Sequence, residues 1–224
     1  MITPDLIQRS NRKTLCLTIL KDGRVIVKAP IKLSGAVIDK FIQSKQDWIA
    51  SKLSIIAKTN NKFEDCINYK TAMLFGEKYE ICLGSVKKVS RDEVHKKLVV
   101  PKDLQFQAII SKIKTWYKGI AKEVLVSRMS HISGKIKIKY DGLKLTNAKG
   151  KWGSCNSKKV IRLNWRLVML PPELIDYVIV HELCHIKEMN HSQKFWSTLN
   201  AFLPHYQQLR VKLKNYGIVL DLFR

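Results

Sequence analysis

Val178-Ile-Val-His-Glu-Leu-Cys-His-Ile-Lys-Glu-Met-Asn-His191 holds His181-Glu182-x-x-His185 and, five residues further on, His191. On an α-helix, side chains four apart leave the same face one turn apart, so the rings of His181 and His185 point the same way. Two imidazoles so placed can share one Zn2+ at ~2.0–2.1 Å each. Glu182 is rotated about 100° from His181, which sets its carboxylate beside such an ion rather than on it. There it can take a proton from a metal-bound water. His191 falls beyond the expected helix end and can swing back as a third ligand. Three protein ligands leave one tetrahedral position for water, the mark of a catalytic rather than a structural site.

The same stretch predicts its own helix. Leu174, Ile175, Val178, Ile179, Leu183 and Ile186 form an apolar stripe at helical spacing. Pro171-Pro172-Glu173 makes a suitable start, since proline is tolerated in the first turn and an acid there complements the helix dipole. Cys184 lies inside the motif, on the flank opposite Glu182, and reads as helix packing.

Working outward, 224 residues at 46% hydrophobic suffice for one large domain or two small ones with a proper core. No N-terminal apolar region resembles a signal peptide, and no apolar run approaches a membrane span. Cys16, Cys66, Cys82, Cys155 and Cys184 are scattered, odd in number and free of CxxC pairs. That pattern suits a reducing, cytoplasmic setting. The net charge of +23 comes from 41 Lys and Arg against 18 Asp and Glu. Such a field draws polyanions, nucleic acid among them. However, the lysines are spread along the whole chain and no nucleic-acid-binding motif accompanies them.

The chain reads as α+β, with a β-rich N-terminal region over residues 1–102 and a catalytic domain over residues 103–224 that carries the HExxHxxxxxH motif. Within the N-terminal region, Leu15–Leu20 and Val25–Ala29 flank Lys21-Asp22-Gly23-Arg24, a hairpin signal. Ser34 is placed to cap a helix over about 34–58, with Trp48 on its buried side, and Thr59–Lys62 reads as a loop. Short strands are expected over 72–75, 79–83 and 97–100. Within the C-terminal region, a long helix is expected from about Leu104 to Ser130 and closed by Gly134. The alternation in Lys135–Tyr140 reads as a half-buried strand. Leu143–Thr146 continues it after a turn. The loop Gly150–Cys155 precedes another strand, Val160–Trp165, which leads almost directly into the metal helix.

Lys151-Trp-Gly-Ser-Cys155, Leu163-Asn164, Tyr177 through His185, Asn190-His191-Ser192 and Phe195-Trp196 together resemble the YgjP-like metallopeptidase family, which is related to WLM and SprT-like zincin domains. The resemblance is strongest over about 135–216. It implies a zincin fold, in which a small twisted sheet lies over an active-site helix with substrate between them. It also implies zinc ligation by His181, His185 and His191, with Glu182 as base. Where metzincins carry a glycine for the sharp helix exit, this chain has Glu188, and Asn190 is the candidate for the turn.

Together these residues read as a cytoplasmic zinc metallopeptidase acting on a protein or peptide. Trp152, Gly153, Ser154 and Asn164 are candidate substrate-binding residues, with strand 160–165 as the sheet edge that receives substrate backbone. A tight structural turn around a buried tryptophan is the competing reading of 152–154. Tyr177, on the ligand face, reads as core. Two alternatives stay open: a zinc hydrolase of nucleotide phosphoanhydrides, and a DNA-associated protease or binding module using the basic surface. No membrane partner is expected.

Overall fold

The computed structural model describes residues 2–20 and 22–223. Backbone contacts divide the chain into two compact units, Met1–Glu64 and Asp65–Arg224. The boundary expected near residue 102 therefore moves, because the sheet of residues 71–101 is bonded to elements later in the chain. Phe75 N–H donates to Val168 O at 2.8 Å and Gly76 N–H to Met169 O at 3.2 Å. The buried Tyr117 hydroxyl donates to Met73 O at 2.7 Å.

In the first unit, β1 (Leu6–Ser10), β2 (Cys16–Ile19) and β3 (Val25–Pro30) form a sheet of order β1-β3-β2. The expected hairpin is the antiparallel β2–β3 pair, with Ile19 opposite Val25. Of its turn, Lys21 lies outside the described residues; Gly23 takes a φ of +91°, open to glycine without strain. Val25, Val27 and Ala29 alternate inward onto Ile38, Ile42 and Ile49.

The single helix expected over 34–58 is two: α1 (Gly35–Gln43) and α2 (Gln46–Ile67). The chain breaks at Ser44, whose hydroxyl donates to Phe41 O and competes with the helical ladder. Ser34 sits at the N-cap position without a side-chain cap bond. Residues 59–62, expected as a loop, are helical within α2. Trp48 is 43% exposed, because Ile49 takes the inward position and the neighbouring residue falls about 100° away.

The second unit opens with β4 (Thr71–Leu74), β5 (Glu77–Gly84), β6 (Ser90–Asp92) and β7 (Lys97–Pro101), in the order β4-β5-β7-β6. The 31-residue α3 (Phe106–Ile136) comes next, burying Ile110, Ile113, Tyr117, Ala121, Leu125, Met129 and Ile132 along one side. The strand expected over 135–140 does not form. Helix propagation runs past Gly134 and stops at Lys137 in the left-handed region (φ 54°), where the Lys137 and Ile138 N–H groups bond back to Gly134 O and Ser133 O. Only Ile138 of the alternating segment ends fully buried before the chain reaches β8.

β8 (Gly142–Thr146), β9 (Gly153–Cys155) and β10 (Val160–Asn164) form the third sheet, in the order β8-β10-β9. β10, expected as the free edge, is the central strand: it runs parallel to β8 and antiparallel to β9. The edge is β9. A 3-10 turn over Trp165–Met169 then leads into α4 (Pro172–Cys184), α5 (Gln193–Phe202), α6 (Tyr206–Lys214) and a last 3-10 turn, Gly217–Asp221. Arg128 of α3 grips Asp176 of α4 through two bonds of 2.8 and 2.9 Å. Among the described residues, no helix is long and apolar enough to cross a membrane.

Arg166 is 1% exposed in the middle of this unit. Its guanidinium lies 4.3 Å from the Trp165 ring centroid and donates to Leu222 O, Phe223 O and Asn147 Oδ1. A buried cation with fixed acceptors is costly to remove, since each acceptor is left unsatisfied. Arg166→Met should lower the unfolding free energy by about 3 kcal/mol, read by urea denaturation, and expose the 217–223 segment to proteolysis.

Candidate functional site

α4 is apolar on nearly every side; Leu174, Ile175, Val178, Ile179, Val180, Leu183 and Cys184 are all buried. A helix surrounded in this way is a core element, which fixes the direction of its few polar side chains. His181 and His185 leave it together, with ring centroids 5.0 Å apart. His185 is the C-cap.

Beyond it the chain tightens. The Lys187 and Glu188 N–H groups both bond to Cys184 O, and Glu188 O lies 3.2 Å from His185 Nδ1. This unwinding turn makes the exit that a glycine makes elsewhere. Asn190, expected to supply a left-handed turn, is not among the residues of positive φ. His191 comes next, directly before Ser192, which caps α5 by accepting from Phe195 N–H. The cap therefore sets the position of His191.

One ring nitrogen from each of His181, His185 and His191 lies within 4.8 Å of the other two. His181 Nε2 and His191 Nε2 are 3.1 Å apart. Nitrogens each ~2.05 Å from a shared tetrahedral ion stand about 3.3 Å apart, so the trio has the size of a metal site. Phe195, fully buried, lies under all three rings at centroid distances of 5.0, 4.6 and 4.7 Å. Trp196 stacks on His191 at 5.4 Å and 22°, and Tyr206 of α6 stacks on Trp196 at 5.4 Å and 18°.

Burial sets the protonation states. It depresses the His181 pKa to about 3, with help from the charges of His185, His191 and Arg210. His191 moves the same way, first through burial. Neutral imidazoles offer the lone pairs that a cation needs. Glu182 is pushed up to about 8 by burial, against the opposing charge of Lys151. Among the described residues, Glu182 Oε2 and His181 Nδ1 are buried without a hydrogen-bond partner. Cys184 is fully buried and its thiol is raised to about 11, also by burial. It is not part of the histidine group.

Glu182 opens onto a cleft of about 220 Å³. Trp152, Tyr177, Val178 and Leu213 give it apolar walls, and Lys151 stands at its rim. Gly153 is pressed against the carboxylate: a Cβ there would fall 2.6 Å from Glu182 Cγ and Oε1. Trp152 and Gly153, two of the candidate substrate-binding residues, line this cleft. Ser154 is half-buried on β9 and does not line the cleft, because successive strand residues face opposite ways. Tyr177 is 3% exposed, yet it also walls the cleft, 5.9 Å from the His181 ring centroid.

Asn164 is corrected outright. It is fully buried beneath the loop, out of reach of any substrate. Its Nδ2 donates to Ala148 O and Lys151 O, its Oδ1 accepts from Arg166 N–H, and its own N–H donates to Trp152 O at 2.7 Å. It positions the cleft wall from below. Sequence reading missed Arg210 and Leu213 because an exposed amphipathic helix such as α6 carries no motif. Asn164→Ala should cost about 2–3 kcal/mol, read by chemical denaturation, with faster amide exchange across 148–152.

The YgjP-like metallopeptidase domain matches residues 13–216. No curated protein matches the chain. Among solved structures, the metallopeptidase zymogen abylysin of Pyrococcus abyssi is 20% identical, over 40% of this chain and 93% of that one, with a TM-score of 0.36. The zymogen jannalysin of Methanocaldococcus jannaschii is 26% identical, over 40% and 87%, also at 0.36. The domain match spans most of the chain and includes the histidine trio and the β9 loop, and the chain belongs to the YgjP-like metallopeptidase family.

Proposed function

We propose that this chain is a zinc-dependent peptidase in which His181, His185 and His191 hold the metal and Glu182 is the general base. The observation that carries the reading is a buried carboxyl, free at Oε2, directly beside three converging imidazoles. The donor set suits zinc, with three nitrogens and one tetrahedral position left open. Bound there, zinc supplies Lewis acidity, acidifying water and polarising a carbonyl oxygen.

The protein's own groups do the rest. Glu182 receives the proton of the attacking water at Oε2 and returns it to the leaving amine nitrogen. Its raised pKa suits that second task, because a carboxyl in an apolar setting holds a proton long enough to deliver it. β9 pairs with β10 on one side and with no other strand among the described residues, so its outer edge is where substrate backbone would add as a strand. Gly153 brings that strand against Glu182, so a peptide laid along β9 passes the base. The apolar walls formed by Trp152, Tyr177, Val178 and Leu213 fit an amino-acid side chain. A nucleotide phosphoanhydride would need a cluster of cations there, and Lys151 is the one cation among the lining residues. The five cysteines are free thiols, in keeping with a reducing cytoplasm.

Glu182→Gln should retain one zinc per chain by atomic absorption and lose roughly 10²–10⁴-fold in peptide hydrolysis. Full activity in that variant sinks the proposed mechanism. Gly153→Ala tests the contact between strand and base. The methyl group must displace the carboxylate, so kcat should fall about 10²-fold at unchanged zinc content and circular dichroism. An unaffected kcat would show that Glu182 does not need this strand.

A further inference from the structure

α6 carries two cations with different surroundings. Lys212 is ion-paired with Glu173 at the start of α4. Arg210, exposed on the same helix, makes no ion pair or hydrogen bond among the described residues. Its guanidinium carbon instead lies 4.8 Å from the centroid of Trp196, the ring that stacks on His191. One indole thus ties a free guanidinium to the edge of the histidine trio. The Arg210 charge is felt at Tyr177, His181 and His191, in keeping with that placement beside the trio.

Lys151 lines the cleft and likewise makes no ion pair among the described residues. The one acid among the lining residues is Glu182, buried at 5% exposure. One cation thus lines the cleft and another stands beside the histidine trio, with no exposed anion among the lining residues to match them. A guanidinium resting on an aromatic ring is held in place at little entropic cost while its N–H donors stay available. Those donors match a carboxylate with two parallel bonds.

We propose that Arg210 is a specificity-determining residue that binds a carboxylate of the substrate beside the scissile bond. The anion is either a free peptide C-terminus or an Asp or Glu side chain, since both present the same two oxygens. This rests on the peptidase reading above, and a binding measurement separates the two.

The zinc-loaded Glu182→Gln protein is titrated calorimetrically, alone and combined with Arg210→Ala or Arg210→Lys. Three peptides share one neutral core: one is capped at both ends, one has a free C-terminal carboxylate, and one is capped but carries a Glu beside the core. The protein with Arg210 should bind one carboxylate peptide about tenfold more tightly than the capped peptide, and which one it is identifies the source of the anion. Arg210→Ala should erase that preference, and Arg210→Lys should restore part of it, keeping charge without the fork. In the Glu182-containing enzyme, the same preference should appear in KM more than in kcat.

Equal binding of all three peptides by the Arg210 protein, or a preference that survives Arg210→Ala, overturns the inference. If binding shows the Arg210-dependent preference while Glu182-containing enzyme cleaves none of the peptides, the inference stands and the peptidase reading falls. Because Arg210 is exposed, its replacement leaves the core intact, and circular dichroism checks this.

Discussion

The backbone of one strand and the carboxyl of one helix are in contact at Gly153 and Glu182, and most of the second unit exists to hold them there. A Cβ at 153 would lie 2.6 Å from the Glu182 side chain, so the two elements stand at the closest approach that a glycine allows. From the strand side, the contact is maintained by a buried polar network. Asn164 grips the loop ahead of β9, and Asn147 Oδ1 accepts from both Trp165 Nε1 and Arg166 Nη1. From the helix side, the entry to α4 is fixed by a second close approach. Gly76, at the β4–β5 turn with φ +84°, lies so near Pro171 that a Cβ would meet its Cγ at 2.7 Å. The sheet of residues 71–101 thus has a structural role in the site although it contributes no chemistry to it.

One environment produces two opposite electrostatic results. Removing water disfavours charge of either sign, so it lowers the pKa of His181 and raises that of Glu182. The outcome is a His181 ring that resists protonation beside Phe195, next to a carboxyl that keeps its proton more readily than an exposed one. Such a site costs the fold less than a cluster of unpaired charges would. It is also receptive to a cation, which can collect several lone pairs without first displacing protons.

What could be read from the sequence depended on the range of the interactions. The histidine spacing, the α4 stripe and the β2–β3 hairpin are local patterns, and each is where periodicity put it. The third histidine of the cluster was also legible, although its route was not: the exit from α4 is built from backbone bonds at Cys184 and Glu188, which leave no residue signature. Strand order was not legible. Val160–Asn164 looks the same as an edge or as a centre, because its neighbours are chosen by distant segments. Lys135–Tyr140 has strand alternation, but six residues cannot outcompete an established helix that needs only one more turn. Asn164 was misplaced because polarity beside a strand suggests surface, whereas here it signals a buried hydrogen-bond junction. The α6 residues Arg210 and Leu213 were missed because amphipathicity marks a covered face without naming what covers it.

The vacancy where residue 153 would carry a side chain divides the wall of the cleft into what can vary and what cannot. No amino acid other than glycine fits at that point without pushing the Glu182 carboxyl aside, so substitution there offers no route to a reshaped wall. Variation of the wall is open instead to the flanking Lys151 and Trp152 and to Leu213 of α6, whose side chains can change without meeting the Glu182 carboxyl. Variation in the shape of the cleft is thereby separated, along a few residues of chain, from preservation of the contact at Glu182.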